Sequence, residues 1–557
     1  MKSSRLRFFR CPVKGIIFIF LIVFLCGCDE EQLKETVLQS RSVEYRTLIC
    51  PFADGEEAVS AAEDSASGDS AVPGDTAVPG DTAVPGAFVG RLALSDVAAD
   101  CGLLCYLLET AYAGYDDACA AGLDCAAAMQ QVEAACALRS RNGTVGIADF
   151  ASLLVRVLSP FIRDGHFSLY AESAVAGGDS GSGGIYSARL SPRTALYYAP
   201  VFVKDGIVVQ SGAADVAPGE RYTGPAENLF PYPAAGPGVF RAGVLSAAPL
   251  TSAELAFEGC ARNVPVCQEA LSAAAVPSFV RIAESADGIY IACRSFQLPP
   301  AASAAYEEAC AQLDSFVAAA ASCRNRKHIV IDLRGNTGGN NLYPMQFFYR
   351  LYFSGLKGFH SPQELFRLAY YDQNLLGEGN YSIDSPATAQ AWLAFTRLSG
   401  TPGEIAACEK QLHAQLQNPC VRRLTVDATS LHGFSLPPQK NFRGTIYLLI
   451  DRDTASAAEN AVVFARHLFA ADGRVVLVGE NSSGCMVSGD ALRYRLPASG
   501  ITLVIPAKNF SCFARRDAAF RGEGRGFFPD YWSTAQDMPA TLSALTGDGE
   551  LAAAACP

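Results

Sequence analysis

Ser456 lies where a predicted strand turns into a predicted helix, and this position suits a nucleophile. From Ile446 to Glu459 the sequence has an apolar run, a short polar turn and an Ala-rich helical stretch, with Ser456 at the turn. The free N–H groups of the first helical turn and the positive end of the helix dipole would both favour negative charge there. These are the conditions for a serine nucleophile with part of an oxyanion hole. The alternative is that Ser456 only caps the helix, which is the common role of serine at such a position.

A second segment, Ile331 to Gly339, runs from an apolar strand into a glycine-rich turn and a helix. Adjacent glycines let backbone amides approach a ligand closely and adopt positive φ angles. An amide at Gly338 or Gly339 would supply a second oxyanion donor. Such a turn can also cradle phosphate, but this one lacks the Gly-Lys-Ser/Thr of a P-loop and the glycine spacing of a dinucleotide site.

Three blocks of sequence resemble the tail-specific, or C-terminal-processing, serine peptidases. Asp332 to Gly339 matches the strand-and-glycine motif of that family, Thr454 to Glu459 its nucleophile motif, and Val478 to Gly484 the segment that follows. The resemblance covers roughly residues 277 to 535. It implies an α/β fold with a crotonase-like (ClpP-like) catalytic core, and it implies that Ser456 is the nucleophile.

The residue after the third block departs from one branch of the family. In the Ser/Lys branch, a lysine follows the glycine of this block and acts as the general base. This chain has Cys485 at that position, and a buried thiol cannot replace a desolvated lysine as a base towards a serine hydroxyl. Either the base lies elsewhere in the chain or the chain is inactive.

Two further motifs resemble the Ser-His-Glu branch of the family, which includes the tricorn core protease and the chlamydial secreted protease. Asp164 to Phe167 resembles its histidine motif, and Glu523 to Asp530 resembles its C-terminal glutamate motif. The resemblance implies that His166 takes the hydroxyl proton of Ser456 and returns it to the leaving amine, while Glu523 orients His166. The oxyanion hole would then consist of the amides of Ala457 and of Gly338 or Gly339.

Other residues compete for these roles. Only His166 lies in a Gly-flanked turn after a predicted helix and within such a motif. The other five histidines are His328, His360, His413, His432 and His467. Glu523 has the simpler alternative of being a solvated loop acid.

Apolar periodicity predicts the elements that position these residues. Helices are expected at Ala148–Ile162, Ala304–Ser322, Tyr343–Phe353 and Ala457–Phe469. Strands are expected at Gly288–Cys293, Ile329–Leu333, Ile446–Ile450 and Val475–Val478, followed by a hairpin of Leu492–Leu496 and Ile501–Ile505.

Changes in composition along the chain predict six regions. Residues 1–27 are a lipoprotein signal peptide, 28–88 are a lipidated Cys28 with a low-complexity tether, and 89–185 are a helical region with the histidine motif. Residues 186–276 form a small β-rich module, either PDZ-like or substrate-gating. Residues 277–535 are the peptidase core with a mostly helical and loop insertion at about 356–440, and 536–557 are a C-terminal tail.

The N-terminus predicts export and lipid attachment. Five basic residues precede a short apolar run that ends at Leu25-Cys26-Gly27-Cys28, which resembles the lipobox of bacterial lipoproteins. Acylation of Cys28 would anchor the protein to the membrane. The protein is therefore expected in the bacterial envelope, at the periplasmic face of the inner membrane or at the outer membrane; an uncleaved anchor helix is the alternative.

The net charge and the cysteine content indicate which kinds of partner and bound group to expect. The net charge is −12, and removing the five basic residues of positions 1–27 leaves about −17, which argues against nucleic-acid binding. Of 19 cysteines, 16 remain without Cys11, Cys26 and Cys28. In an exported protein these favour disulfides over a metal site, because no CxxC pairs with histidines. No cofactor or metal is expected, and the oligomeric state is left open.

The sequence thus favours a serine endopeptidase with a polypeptide substrate. Two other functions stay open on the same fold, because folds do not fix functions. One is a catalytically inactive binding or carrier protein, suggested by Cys485. The other is a surface interaction protein, suggested by the long tether and the lipid anchor.

Overall fold

The structure is a computed structural model that describes most of the chain from residue 90 onward. The described residues are 90–171, 186–189, 193–268, 279–299, 303–353, 379–384, 421–426, 443–469, 474–509, 517 and 519–556, with six positions between 402 and 410. All of them lie within one compact unit, Pro51–Pro557. The signal peptide, Cys28 and the tether lie outside the described residues, so the expectations for them stay predictions.

Residues 91–158 are mainly helical. The elements are β1 (Arg91–Ala93), α1 (Leu94–Thr110), α2 (Tyr115–Ala120), α3 (Cys125–Arg139), β2 (Thr144–Gly146) and α4 (Ile147–Leu158). Helix α4 is amphipathic, and Phe150, Leu154 and Leu158 on its apolar face are fully buried. Two strands follow the turn that contains His166, namely β3 (Ser168–Ala171) and β4 (Tyr186–Arg189).

Residues 195–265 form strands and short 3₁₀ turns, with no α-helix among those described. The elements are β5 (Ala195–Lys204), β6 (Ile207–Ser211), β7 (Leu229–Pro231), β8 (Val239–Ser246), β9 (Ser252–Phe257) and β10 (Cys260–Pro265), with 3₁₀ turns at Ala226–Asn228 and Pro233–Ala235. An antiparallel sheet has the order β6-β5-β8-β7, and β9 and β10 form a hairpin. These strands lie within the predicted β-rich module, whose boundaries and role stay predictions.

The remaining described elements alternate between strands and helices. They are β11 (Val280–Glu284), β12 (Gly288–Cys293), α5 (Tyr306–Ala318), α6 (Ala320–Cys323), β13 (His328–Asp332), α7 (Leu342–Phe353), β14 (Gly379–Asp384), β15 (Val421–Val426), β16 (Thr445–Ile450), α8 (Ala457–Phe469), β17 (Val475–Gly479), β18 (Ser488–Arg495), β19 (Thr502–Asn509), β20 (Tyr531–Trp532), α9 (Met538–Thr546) and α10 (Gly549–Ala554).

A six-stranded sheet forms the centre of this part, in the order β11-β12-β13-β16-β17-β20. Its strands are parallel except for β11, which pairs antiparallel with β12 at the edge. Ile289 and Ile291 of β12 pack on one face with the apolar sides of α5 to α8. Tyr290 packs on the other face with α9 and α10. The fold is therefore α/β, with a parallel sheet buried on both faces.

The C-terminal residues belong to this packing. The sequence predicted a tail after residue 535, whereas α9 and α10 cover one face of the sheet. Met538, Leu542 and Leu551 are almost completely buried there. Their apolar side chains recur at helical spacing, and burying them stabilises the sheet by removing apolar area from water.

A second sheet carries the segment that contains His166. Its order is β15-β14-β19-β3-β4, and β18 also pairs with β19. Strand β3 starts two residues after His166 and pairs with β19 from Thr502↔Tyr170 to Val504↔Ser168. Strands β14 and β15 lie in the 356–440 insertion that was expected to be mostly helical and loop. Most of that insertion lies outside the described residues.

The prediction of disulfides is wrong for the twelve cysteines that the structure describes, since none of them forms a disulfide bond. Cys260 opens β10 and Cys267 follows its end. An extended strand of that length separates them by about 20 Å, far more than a disulfide spans. In the helical region, the Cys105 thiol instead donates to Glu109 Oε1 at 3.3 Å.

The described residues lack both a membrane-spanning helix and a metal-binding cluster. They contain no helix long and apolar enough to cross a membrane. They also contain no group of three or more histidine, cysteine or acidic side chains arranged to hold a metal ion.

Candidate active site

Ser456 lies in the turn between β16 and α8, at the carboxyl end of the central parallel strands. Its φ angle is 53°, one of three positive values at non-glycine residues among those described. A left-handed conformation at serine is uncommon and costs free energy, which the surrounding contacts must offset. Ordinary N-cap residues have extended backbone angles, so the capping alternative does not describe Ser456.

Glu459 holds this turn in place from the first turn of α8. Its buried carboxylate accepts hydrogen bonds from the Gly484 amide at 2.9 Å, the Cys485 amide at 2.7 Å and the Ser456 amide at 3.3 Å. The Ser482 hydroxyl also donates to it, at 2.5 Å. Burial raises the pKa of Glu459, and these four hydrogen bonds oppose that rise. Glu459 thereby fixes the serine turn against the 482–485 segment.

His166 meets Ser456 although the two residues lie 290 positions apart. The imidazole Nε2 lies 3.0 Å from Ser456 Oγ, within hydrogen-bonding distance. The His166 backbone amide donates to Asp164 Oδ1 at 2.9 Å, which closes a tight turn before β3. A nucleophile and a base in this contact can transfer a proton. The structure therefore brings together the serine and the histidine that the sequence selected.

Cys485 contacts the other ring nitrogen of His166. Its Sγ lies 3.3 Å from His166 Nδ1, and its backbone carbonyl accepts the Ser456 amide at 3.0 Å. Asp164 Oδ1 lies 4.0 Å from the same Nδ1. Sequence reasoning treated Cys485 only as a missing lysine and gave Asp164 no role. The available signal was that Asp164 lies two residues before His166, the spacing of a side-chain-to-backbone turn.

Glu523 lies near this pair but does not hydrogen-bond to His166. Its Oε1 accepts the amides of Met486 at 3.2 Å and Val487 at 2.5 Å. Its Oε2 is buried and has no hydrogen-bond partner among the described residues. Burial, and then the neighbouring Cys485 and Asp164, raise the pKa of Glu523 well above its usual range.

Gly165 explains how these groups fit around the histidine. A Cβ atom added at Gly165 would lie 2.9 Å from Cys485 Sγ and 3.2 Å from Glu523 Oε2. The thiol and the carboxyl group therefore occupy the space that a side chain at this position would need. Glu523, the predicted orienting acid, therefore lies beside the histidine turn. The Cys485 thiol, and not the Glu523 carboxyl group, makes the direct contact with His166 Nδ1.

Of the amides expected in an oxyanion hole, Ala457 and Gly339 are the available ones. Within the described part of the chain, the structure gives neither N–H group a hydrogen-bond acceptor. The Gly338 amide instead donates to Asn336 Oδ1 at 2.9 Å. Gly338 has a φ of 108°, and a Cβ there would lie 2.7 Å from Ser456 Cβ. Gly338 therefore lets the glycine turn approach the serine closely.

Asp332 and two arginines hold the base of the glycine turn. Arg294 and Arg334 both form bidentate contacts with the fully buried Asp332 carboxylate, at 2.7 to 3.0 Å. Burial by itself raises the pKa of Asp332, but the two guanidinium groups outweigh it and hold the pKa far below its usual range. These residues support the glycine turn.

Among the known proteins compared with this chain, similarity was found to solved structures and not to family models or curated sequences. No protein-family model matches the sequence, and neither does any curated protein. Mature CPAF is 13% identical with a TM-score of 0.35, covering 82% of this chain and 98% of that chain. The photosystem II D1 C-terminal processing protease is 11% identical with a TM-score of 0.30, covering 82% and 98%.

A third similar structure is the tricorn protease, at 14% identity and a TM-score of 0.30, covering 83% of this chain and 36% of that chain. At such identities and TM-scores, the function of this chain has to be inferred from its own side chains.

Proposed function

We propose that this chain is a serine-type endopeptidase of the tail-specific family, with a crotonase-like core and Ser456 as its nucleophile. One observation carries the proposal. His166 Nε2 lies 3.0 Å from Ser456 Oγ, while Ser456 is held at a left-handed φ of 53° at the start of a helix. A serine hydroxyl in hydrogen-bonding contact with a histidine is the arrangement that activates serine for acyl transfer, and backbone strain is common at functional sites.

The proposed reaction proceeds through an acyl-enzyme. His166 takes the Ser456 proton as Oγ attacks the peptide carbonyl, and then gives that proton to the leaving amine. Water, activated by the same imidazole, hydrolyses the ester on Ser456. The amides of Ala457 and Gly339 would donate to the oxyanion. Gly338 contributes through close backbone packing, because its amide is bonded to Asn336.

The proposed setting is the bacterial envelope. Cys28 would carry the lipid, and the low-complexity tether would hold the described part of the chain away from the membrane. The substrate would be a polypeptide, and the β-rich module at 186–276 would present or gate it. The expected peptidase chemistry uses no cofactor.

Cleavage assays with matched variants test the proposal. Purified wild type, Ser456→Ala and His166→Ala are compared on casein and on unstructured peptides, with Ser315→Ala as the control. Ser315 is an exposed serine on α5 whose hydroxyl bonds only to the Gln312 carbonyl. The rate should fall by about 10³-fold or more in both site variants, as for other serine–histidine pairs, and stay unchanged in the control. Equal, non-zero cleavage by wild type and Ser456→Ala would contradict the mechanism.

A non-catalytic binding or carrier protein on the same fold is the second candidate. It is favoured by the absence of a hydrogen bond between Glu523 and His166, since peptidases of this kind use an acid to orient the histidine. This candidate predicts that folded wild type cleaves no peptide yet still binds polypeptides, and that Ser456→Ala binds them equally well. A surface interaction protein would give the same result with a larger partner.

A further inference from the structure

The imidazole of His166 faces acidic or polarisable groups from several elements. Ser456 contacts Nε2, and Cys485 Sγ contacts Nδ1 at 3.3 Å. Asp164 Oδ1 lies 4.0 Å from Nδ1, and the Glu523 carboxyl group lies across Gly165. Two carboxyl groups therefore surround one histidine, and the proposed chemistry needs only one of them to be charged.

The proposed reaction requires two things of the groups next to His166 Nδ1. The proton of neutral His166 has to be on Nδ1 so that Nε2 can accept the proton of Ser456. When the imidazole becomes a cation, a nearby negative charge has to stabilise it. The Cys485 sulfur is a weak hydrogen-bond acceptor, so it can receive the Nδ1–H but cannot provide the charge as a neutral thiol.

Glu523 is poorly placed to provide that charge. Its Oε1 is bonded to the amides of Met486 and Val487. Within the described residues it forms no ion pair with His166, and its buried Oε2 has no hydrogen-bond partner. Burial outweighs the opposing effect of the nearby His166 and raises the pKa of Glu523, so this carboxyl group favours the neutral, protonated form.

Asp164 is held as a hydrogen-bond acceptor next to the ring. It accepts the His166 backbone amide at 2.9 Å and the Ser488 hydroxyl at 2.5 Å. The buried Tyr112 hydroxyl also hydrogen-bonds to it. Three donors from three segments fix the carboxyl group, so it cannot swing away from the imidazole.

We infer that Asp164 is a positioning residue of the proposed active site: it fixes the His166 turn and supplies the negative charge that stabilises the His166 cation. The inference rests on the proposed function, because it concerns the reaction of the same serine and histidine. It assigns to Asp164 the electrostatic role that the family resemblance implies for Glu523, and leaves Cys485 as the direct contact of Nδ1.

The Asp164→Asn variant tests this, because asparagine keeps an oxygen acceptor of the same shape and removes the charge. We expect kcat to fall by about 10- to 100-fold with little change in KM, since the lost charge acts only when the imidazole is a cation. A fall in kcat without a matching rise in KM separates this electrostatic role from a loss of substrate binding.

Two variants serve as comparisons. Asp149→Asn removes a charge from an exposed aspartate in the same helical region, one that pairs with Arg139 at 3.8 Å; it should leave both kcat and KM unchanged. Glu523→Gln keeps an acceptor for the Met486 and Val487 amides and should cost less activity than Asp164→Asn. Circular dichroism and the melting temperature establish that each variant is folded.

The outcomes separate the inference from the proposed function. If wild type shows no Ser456-dependent cleavage, the proposed function fails. If wild type is active and folded Asp164→Asn keeps its kcat, the inference is overturned while the function stands. A loss that appears in KM with kcat unchanged would also overturn it, because the proposed charge acts only after the substrate is bound.

Discussion

At the scale of single residues, Ser456 and Gly338 depend on each other. Ser456 has a backbone conformation that serine rarely adopts, and Gly338 lies so close that a Cβ atom there would be 2.7 Å from Ser456 Cβ and 2.9 Å from the Ala455 carbonyl. A backbone conformation as strained as that of Ser456 persists only when neighbouring contacts hold it in place, and such strain is typical of functional sites.

Gly338→Ala should therefore abolish activity and destabilise the protein by about 2 kcal/mol or more, because the methyl group meets both overlap and an unfavourable φ. Gly335→Ala is the matched control in the same turn. Its φ is 73° and a Cβ there meets no atom within 4 Å, so it should cost only about 1 kcal/mol. Urea unfolding and peptide cleavage measure both effects; equal costs for the two variants would contradict this account of Gly338.

Residue-scale reasoning from the sequence found Ser456, His166 and the glycine turn, because each occurs in a local motif with recognisable spacing. It did not find the contact between Cys485 and His166, nor the contacts of Asp164. Those contacts depend on side-chain placement after β19 pairs with both β3 and β18, and no local pattern encodes that geometry.

At the scale of elements, the central sheet positions the site through β13 and β16. These neighbouring parallel strands pair from His328↔Thr445 to Asp332↔Leu449, so the glycine turn and the serine turn leave the sheet side by side. Asp332 at the end of β13 joins this edge to Arg294, which follows β12. The buried cluster thus fixes the glycine turn, and the Ala455 amide joins the serine turn to it by donating to the Asn336 carbonyl at 3.0 Å.

Asp332→Asn should destabilise the protein by about 3 to 5 kcal/mol, because it leaves two arginines without their buried counter-charge. In the wild type, the pKa of Asp332 is lower in the folded than in the unfolded state. The stabilisation by its carboxylate is therefore present above a pH of about 4 and is lost as the pH falls towards the folded-state pKa. Asp287→Asn, which breaks an exposed pair with Lys327, should cost less than about 1 kcal/mol. Similar unfolding midpoints for the two variants at pH 7 would contradict this.

The elements of the core could be predicted well from periodicity. The strand at Gly288–Cys293 and the helix at Ala457–Phe469 have the predicted bounds, because continuous apolar runs and helical spacing are local signals. The hairpin of β18 and β19 was also predicted, but the rest of the second sheet was not. That sheet pairs β19 with β3, which lies more than 300 residues earlier, and the sequence gives no direct record of such long-range pairing.

At the scale of the whole molecule, the predicted lipid anchor and the proposed active site lie in different parts of the sequence. The residues of the proposed site all lie between 164 and 523, whereas Cys28 precedes the tether. A low-complexity tether of the predicted kind would transmit no geometry to the site, so the two functions should be independent.

Cys28→Ser should therefore move the protein from the membrane fraction to the soluble fraction and abolish palmitate labelling, with no change in cleavage rate per molecule. Expression in a bacterial host, followed by detergent phase partition and immunoblotting, measures the first effect. Cys26→Ser is the control, since it precedes the expected cleavage point. Membrane retention of Cys28→Ser equal to that of wild type would support an uncleaved anchor helix instead.

Labelling with a fluorophosphonate probe is the most direct test of the central claim that Ser456 is an activated nucleophile. Folded wild type should form one covalent adduct, which peptide mass spectrometry maps to Ser456. Heat denaturation and His166→Ala should both abolish it, because activation requires the 3.0 Å contact between His166 and Ser456. Folded protein that leaves Ser456 unmodified, under conditions that label a known serine hydrolase, would contradict the account.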